Sequence, residues 1–307
     1  MKKITLLSAV SFLILISCGP SKAELEAKEE AKQDSLAEVA KADSIAKATK
    51  VSEMADNAVY TYCIDSNRCG PWDLIKDVTK IVGAETQKTP YLNILHIETH
   101  RNKIVKRVTD YGTVSFISEN TLITAKHVVS DKAILNKIGL SLSTEGKDDW
   151  IYFDRTEFEI TYYNKKSNVE TDIAVVKLLN KQKLSQLYKG HFSVENIGNK
   201  LFTKNDKVNL TGYPCYFANT PGGHDTLVTK STTIDKLNLS KSSFIAYHFF
   251  TCIGDSGDPL WIEKDGKYYI AGIHHGGGDD GGFDDSYNFS VRITDDINAW
   301  LKEMISK

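Results

Sequence analysis

The chain has 307 residues, more than one compact domain needs and few for two large ones. It carries 38 Lys and Arg residues against 40 Asp and Glu residues, a formal net charge of -2 at pH 7. This balance lacks the basic excess of nucleic-acid-binding proteins, so we predict no nucleic-acid partner.

Residues 1–17 have the pattern of a bacterial secretion signal. Two lysines precede an apolar run at residues 4–16, and Leu-Ile-Ser leads directly into Cys18. Small residues before a cysteine resemble the lipobox of bacterial lipoproteins, which implies cleavage before Cys18 and lipidation of that residue. The run is too short for a permanent membrane span. We expect a lipid-anchored envelope protein, periplasmic or at the cell surface; an ordinary secretion signal, the alternative, also directs the chain out of the cytoplasm.

Residues 18–58 are predicted to be a charged spacer between the lipid and the rest of the chain. From residue 21 the spacer is rich in Ala, Lys, Glu, Asp and Ser and has no Gly or Pro. Opposite charges four residues apart, as at Glu24 and Lys28, favour a solvated helix. The apolar positions keep no sustained period, which argues against a coiled-coil partner. We predict a helical or disordered spacer, about 55 Å long if residues 22–58 were fully helical.

Four cysteines beyond Cys18 fit an oxidising compartment. We prefer the pairs Cys63 with Cys69, which closes a small loop, and Cys215 with Cys252, which joins segments of one domain. Four cysteines allow three connectivities, so the pairing is a hypothesis. No histidine shares the cysteine spacing of a zinc site, and we predict neither a metal nor a cofactor.

From about residue 80 onward the pattern is mostly β. A hairpin is predicted over residues 262–272, turning at Asp265-Gly266. Residues 294–306 begin with Thr-Asp-Asp and carry one apolar stripe, which predicts an amphipathic C-terminal helix. Short β-rich runs separated by turn residues, typical of barrels or sandwiches, cover residues 91–97, 112–117, 122–124, 173–178, 207–211 and 244–250.

Three stretches carry residue types that act together in nucleophilic catalysis. Ser256 lies in Gly-Asp-Ser-Gly, where flanking glycines allow a tight turn that presents the hydroxyl. His127 ends the apolar stretch Thr-Leu-Ile-Thr-Ala-Lys-His, and Asp172 opens Thr-Asp-Ile-Ala-Val-Val. A serine nucleophile needs a base, and the base needs an orienting group. The backbone amides of Gly254 and Ser256 are the predicted oxyanion hole.

In the order His127, Asp172, Ser256, these stretches resemble the chymotrypsin-fold, or trypsin-like, serine peptidases, and most closely their bacterial glutamyl endopeptidase branch. Leu-Thr-Gly-Tyr-Pro at residues 210–214 and Gly-Ile-His-His-Gly-Gly at residues 272–277 are similar to segments of that branch. Five motifs in the right order are far more specific than any one of them.

The resemblance implies an all-β fold of two six-stranded antiparallel β-barrels with the active site between them. The peptidase domain would cover residues 81–307 and act on peptides or proteins. Residues 59–80, with two of the cysteines, would form a segment like the pro-segment of a precursor. The pattern predicts no particular oligomeric state.

The resemblance also implies a substrate preference. Family members that cut after Lys or Arg carry an aspartate six positions before the serine, where this chain has Phe250. In the glutamyl branch a threonine and the histidine of Gly-Ile-His bind the substrate carboxylate, and Thr251 and His274 stand at the matching positions. A hydroxyl and a cationic imidazole would give that carboxylate charge-assisted hydrogen bonds. We therefore expect cleavage after Glu or Asp.

Four features depart from that branch. Asp258 stands where Gly or Ser is usual, His275 replaces Trp or Ser, and Phe289 is bulky near the expected pocket wall. An acidic loop at residues 279–285 lies near the expected pocket entrance. It could repel glutamate, attract basic substrates or bind calcium, and we interpret it as a solvated loop.

Residues 80–84, Lys-Ile-Val-Gly-Ala, resemble the junction at which trypsin-like precursors are cut. Cleavage after Lys80 would free the Ile81 amine to pair with Asp255 and order the oxyanion hole. A turn entering a strand has a similar sequence, so activation by cleavage is one of two interpretations.

Two other classes of function compete with a peptidase. A catalytically silent peptidase fold could serve as a binding module on the cell envelope, with Asp258 or Phe289 blocking the cleft. A tether would instead present residues 22–58 to an envelope partner, and Ser256 would be dispensable.

Overall fold

The computed structural model describes thirteen stretches of the chain. The contacts within the chain divide it into residues 1–61 and residues 62–307, and every described residue except Thr61 belongs to the second unit. The predicted signal and spacer, with Cys18, lie outside the described residues. The described stretches are residues 61–63, 69–71, 78–80, 90–102, 107–130, 134–142, 150–163, 168–196, 202–214, 227–249, 251–252, 254–283 and 287–307.

The described residues are mostly β-strands. None of the described helices is long and apolar enough to cross a membrane. The helices are α1 (Lys181–Leu187), α2 (Gly278–Gly281) and α3 (Asp295–Ser306). The strands are β1 (Thr61–Cys63), β2 (Cys69–Pro71), β3 (Val78–Lys80), β4 (Ile94–Asn102), β5 (Arg107–Phe116), β6 (Thr121–Thr124), β7 (Leu135–Ser141), β8 (Ile151–Asp154), β9 (Phe158–Tyr162), β10 (Ala174–Leu178), β11 (Ser193–Val194), β12 (Lys207–Gly212), β13 (Val228–Thr233), β14 (Phe244–Tyr247), β15 (Pro259–Lys264), β16 (Lys267–Gly277) and β17 (Asn288–Arg292).

Seven of the described strands form a first sheet, in the order β8-β7-β4-β5-β6-β10-β9, with antiparallel neighbours. Its edge strands β8 and β9 are consecutive in the chain, and only the 3₁₀ turn Arg155–Glu157 separates them. A flat sheet of this width would hold its edges roughly 29 Å apart. The chain from Asp154 to Phe158 reaches at most about 14 Å. The sheet therefore curls until its edges approach each other, as the predicted barrel requires.

The turn between β8 and β9 also explains why this sheet has seven described strands where six were predicted. Glu157 accepts hydrogen bonds from the Asp154 backbone N–H at 2.9 Å and from Asn180 and Lys183, each at 2.5 Å. The Lys183 bond, with those from Asn180 and Asp154, lowers the pKa of Glu157 to about 2. This fixed corner divides one long bent strand into β8 and β9.

Eight of the described strands form the second sheet, in the order β14-β17-β16-β15-β12-β13-β3, with β11 added in parallel to β16. The six strands β12 to β17 match the predicted six-stranded barrel, and β3 and β11 are short additions. In β3, Lys80 lies opposite Val228 and Val78 lies opposite Lys230. The segment predicted to precede the domain thus contributes a strand to its second sheet.

Two local predictions in this sheet are confirmed. β15 and β16 form the predicted hairpin, and both turn residues, Asp265 and Gly266, have positive φ angles of 52° and 70°. The C-terminal helix α3 begins after Thr294, whose side chain accepts a hydrogen bond from the Ile297 backbone N–H at 3.3 Å. Ile297 and Leu301 are buried, as the apolar stripe predicts.

One of the two buried hydrophobic clusters among the described residues contains residues of both sheets. Phe116, Leu122 and Phe153 of the first sheet belong to the same buried cluster as Trp261 and Ile273 of the second. A segment that adjoins a strand of the first sheet can therefore contact a segment that adjoins a strand of the second sheet, where the two sheets pack together.

Candidate active site

His127 and Asp172 come together because β6 and β10 are antiparallel neighbours. The His127 turn follows β6, and Asp172 lies just before β10, so both occupy the same end of the pair. Asp172 Oδ1 accepts a hydrogen bond from the His127 backbone N–H at 2.9 Å, and Oδ2 lies 2.6 Å from His127 Nδ1. The carboxylate therefore holds a proton on Nδ1 and leaves Nε2 as the basic nitrogen.

Ser256 lies in a tight turn between the two sheets. The turn is closed by hydrogen bonds from the Asp255 N–H to the Cys252 carbonyl oxygen at 3.1 Å and from the Asp258 N–H to the Asp255 carbonyl oxygen at 2.9 Å. Gly257 has a φ of 90°, and a Cβ at this position would lie 2.1 Å from the Thr113 carbonyl oxygen. Only glycine fits there, which accounts for the glycine after the serine.

The first sheet holds the Ser256 turn directly. The Thr113 N–H of β5 donates to the Ser256 carbonyl oxygen at 2.9 Å. A Cβ on the preceding Gly112 would lie 3.0 Å from that oxygen and 2.9 Å from the side chain of Val128, the residue after His127. The segments of His127, Asp172 and Ser256 thus meet where the two sheets pack.

Sequence reasoning missed the contribution of His275. Its Nδ1 lies 2.6 Å from Asp172 Oδ2, the oxygen that also faces His127. Its ring stacks on Phe289 at a centroid distance of 5.0 Å, and its Nε2 lies 3.7 Å from Asp280. Asp280 was predicted to lie in a solvated acidic loop, but it belongs to the short helix α2. The doubled histidine in Gly-Ile-His-His was the available signal, but its partner is distant in sequence.

Two histidines determine the ionisation of Asp172. Burial alone would raise the pKa of Asp172, but the hydrogen bonds from His127 and His275 outweigh burial and bring the pKa well below its ordinary value. Asp172 is therefore a carboxylate throughout the neutral range. It can stabilise a positive charge on His127.

Among the described residues, His127, Asp172 and His275 are the group whose ligand atoms are close enough to hold a metal ion, all within 4.8 Å of one another. In this structure the ring nitrogens that face Asp172 are hydrogen-bonded to its carboxylate. A metal ion would have to displace both bonded protons, so the group is best described as a hydrogen-bonding network.

The two residues predicted to bind the substrate carboxylate, Thr251 and His274, are both buried. His274 Nδ1 lies 2.8 Å from the Tyr247 hydroxyl, which is 2.7 Å from Ser290 Oγ. Burial, together with the positive charge of Lys230, lowers the pKa of His274 well below its ordinary value. His274 is therefore neutral at neutral pH, in contrast to the expected cationic imidazole, and has one N–H to donate.

Beneath the Ser256 turn lies a buried charged cluster. Lys230 Nζ donates to Asp255 Oδ2 at 2.9 Å, and the Cys252 backbone N–H donates to the same oxygen at 2.8 Å. Lys230 is 1% exposed and Asp255 is fully buried. Burial and the charge of Asp255 raise the pKa of the neighbouring Asp258 well above its ordinary value, which favours its neutral form. The cluster thus contains one ion pair beside a carboxyl group whose ionisation is disfavoured.

Asp258 and Phe289 do not protrude into a cleft as the silent-module hypothesis supposes. Both are fully buried. A Cβ on Gly212 would lie 1.6 Å from Asp258 Oδ1, so this carboxyl group fills space left by that glycine. Phe289 packs against His275 and against Phe244, at a centroid distance of 5.0 Å in each case.

Some predicted site residues have few or no described atoms. Ile81 and Cys215 lie outside the described residues, and for Lys80, Cys63 and Cys69 only the backbone is described. Cys252 is disulfide-bonded. The two predicted cysteine pairs and cleavage after Lys80 stay predictions.

Two curled antiparallel sheets, with the segments of a serine and of a histidine–aspartate pair meeting where they pack, are typical of the chymotrypsin-like class. Two solved structures share this fold: a Glu endopeptidase in complex with MPD has a TM-score of 0.55 and 18% identity, covering 75% of this chain and 97% of that one. The protease Anisep from Arthrobacter nicotinovorans has a TM-score of 0.53 and 16% identity, covering 72% and 98%.

The sequence agrees with that class. The model of the family described as Trypsin matches residues 83–301, and the chain belongs to that family. The glutamyl endopeptidase of Staphylococcus epidermidis is 27% identical to it over 198 residues, which is 63% of this chain. Two strains of that species give the same values. The chain spans 62% of the length of this curated relative.

Proposed function

We propose that this chain is an extracytoplasmic serine endopeptidase with His127, Asp172 and Ser256 as its catalytic triad. The observation that carries the proposal is the pair of contacts from Asp172 to His127, at 2.9 and 2.6 Å. They fix the tautomer whose Nε2 can act as a base. The Ser256 turn, held against β5 by the Thr113 N–H, would supply the nucleophile.

In the proposed reaction, His127 Nε2 takes the proton of Ser256 Oγ as this oxygen bonds to the substrate carbonyl carbon. The amides of Gly254 and Ser256 donate to the carbonyl oxygen as it becomes negative. The C–N bond then breaks, and His127 returns the proton to the leaving amine. A water molecule, deprotonated by His127, hydrolyses the acyl-enzyme and restores Ser256. Asp172 stays ionised throughout and stabilises the imidazolium.

The proposed substrate preference is for Glu or Asp before the scissile bond, with Thr251 and His274 as the groups that bind its carboxylate. The 27% identity to a glutamyl endopeptidase supports this preference. The hydrogen-bonded series His274, Tyr247 and Ser290 would fix a neutral imidazole, so the carboxylate would meet neutral donors. A carboxylate that is bound only by neutral groups needs several hydrogen-bond donors. The Thr251 hydroxyl would be one of these donors.

The test is digestion of an unfolded protein by the full chain, with every cut site identified by mass spectrometry. Ser256→Ala should lower turnover by about a million-fold, because the triad acts as a unit. Ser240→Ala, at an exposed serine, is the matched control and should cut like the wild type. Cuts clustered after Glu or Asp would support the proposed pocket, and substantial activity in Ser256→Ala would refute the triad.

The proposed location is the bacterial cell envelope, with a lipid on Cys18 as the anchor. The lipobox-like sequence before Cys18 supports it. Cells fed an alkyne-tagged fatty acid should label the wild-type chain in the membrane fraction. Cys18→Ser should be unlabelled, and label that persists in this variant would refute the assignment.

A further inference from the structure

The ion pair beneath the Ser256 turn bears on how the oxyanion hole is ordered. Asp255 immediately precedes the proposed nucleophile, and its carboxylate accepts from Lys230 at 2.9 Å and from the Cys252 N–H at 2.8 Å. The Asp255 N–H in turn donates to the Cys252 carbonyl oxygen at 3.1 Å. Two hydrogen bonds thus tie Asp255 to Cys252, and Gly254, a proposed oxyanion donor, lies between these two residues in the chain.

A cation is required for this arrangement of Cys252 and Asp255 to keep its form. Asp255 is fully buried, and a buried carboxylate without a cation would take up a proton or leave the interior. Burial and the charge of Asp255 raise the pKa of the neighbouring Asp258, so a second buried negative charge there is disfavoured. Lys230, 1% exposed, directly neutralises Asp255. The orientation of the Gly254 amide therefore depends on the charge of a lysine in another strand.

Lys230 also occupies the position that an activating amine would need. Oδ2 of Asp255, the residue predicted to receive a freed Ile81 amine, already accepts from Lys230. The strand before residue 81 is paired with the strand of Lys230, with Lys80 opposite Val228. Cleavage after Lys80 would have to release this strand and displace a buried ion pair.

We propose that Lys230 is the positioning residue of the oxyanion hole and that the chain is active without cleavage after Lys80. The inference rests on the proposed peptidase function. Lys230 supplies from within the domain the positive charge that a new N-terminus would otherwise bring. The enzyme is then under no proteolytic control at this junction.

The first experiment uses the full chain with Lys80→Gln, shown by intact mass to be uncut. The proposal expects this variant to react with a fluorophosphonate and to turn over a peptide substrate within about twofold of the wild type treated with trypsin. An uncut chain that is inert, beside a trypsin-treated chain that is active, would overturn the proposal and leave the peptidase function standing. If neither form reacts, the proposed function fails, and this inference with it.

The second experiment compares Lys230→Met with Lys236→Met, a matched control at an exposed lysine beside Asp235. Lys230→Met should lower kcat by about a hundredfold with little change in KM, as expected when an oxyanion donor is lost. Lys230→Met should weaken the binding of a peptide aldehyde, whose oxygen enters the oxyanion hole, far more than the binding of a product peptide. Lys230→Met with Asp255→Asn leaves no unpaired charge and should recover part of the loss. An unchanged kcat, or an equal loss of affinity for the aldehyde and for the product peptide, would overturn the positioning role.

Discussion

The two sheets place carboxyl groups in the site under opposite conditions. Asp172, beside the first sheet, is 6% exposed and ionised because two imidazoles donate to it. Asp258, which leads into the second sheet, is fully buried beside another aspartate, and its raised pKa favours the neutral form. Burial is similar in the two places, so the donors around each carboxyl group decide its charge. Asp172 can stabilise a positive charge on His127 during a reaction, whereas Asp258 supports the Ser256 turn.

The largest expected effect comes from reversing the donor pattern at Asp172. An Asn at this position donates where a carboxylate accepts and so favours the wrong tautomer of His127. Asp172→Asn should lower kcat by about ten-thousand-fold. Steady-state kinetics at pH 8 would measure this, with Asp235→Asn, at an exposed aspartate, as the control. A loss of only a few-fold would mean that Asp172 does not orient the base.

A smaller effect should separate the two histidines on Asp172. His275→Phe keeps an aromatic ring on Phe289 but removes the second donor, whereas His275→Gln keeps an N–H. One hydrogen bond to a charged group contributes about 1.5–3 kcal/mol. Because part of this energy stabilises the transition state, we expect His275→Phe to lose about tenfold in kcat. His275→Gln should retain more activity. Equal losses of kcat in the two variants would show that His275 only packs against Phe289 and does not orient Asp172.

The smallest effect concerns stability and the second carboxyl group. The folded state raises the pKa of Asp258 above its unfolded value, so the folded state binds this proton more tightly. That contribution is present below the unfolded pKa and is lost as the pH rises through the folded pKa. Asp258→Asn cannot ionise, so its stability relative to the wild type should increase as the pH rises from about 4, the pKa of an unfolded Asp, towards the raised folded pKa.

Thermal melting across that pH range would measure the difference, which we expect to reach about 2–4 °C for each kcal/mol of repulsion removed. A difference in Tm that is constant with pH would mean that folding does not shift the pKa of Asp258. Asp235→Asn again serves as the control, since its exposed carboxyl group should give no such trend.

Local signals in the sequence were enough for the parts of the fold formed by neighbouring residues. The Asp265-Gly266 hairpin and the helix after Thr294 follow from turn and capping preferences that act over a few residues. The segments of His127, Asp172 and Ser256 were found because each has a distinctive neighbourhood. The corner at Arg155–Glu157 escaped prediction because its key bonds come from Asn180 and Lys183, more than twenty residues away.

Long-range contacts explain what sequence reasoning missed in the candidate site. Lys230 stands in Val-Thr-Lys-Ser-Thr, an ordinary strand pattern that gives no sign of a buried cation. Its partner, Asp255, is 25 residues away. The neutral state of His274 depends on burial and on that same lysine. The ionisation of a buried side chain depends on the groups packed around it, so a short sequence motif does not predict it.

The contact between Gly212 and Asp258 also constrains how this sequence can evolve. A side chain at position 212 would overlap the Asp258 carboxyl group, since its Cβ would lie 1.6 Å from Oδ1. A lineage that replaces the glycine must therefore first acquire a small residue at position 258. The reverse order passes through an intermediate that cannot pack. The two positions should covary among homologues, and the order of their replacements should be the same in independent branches.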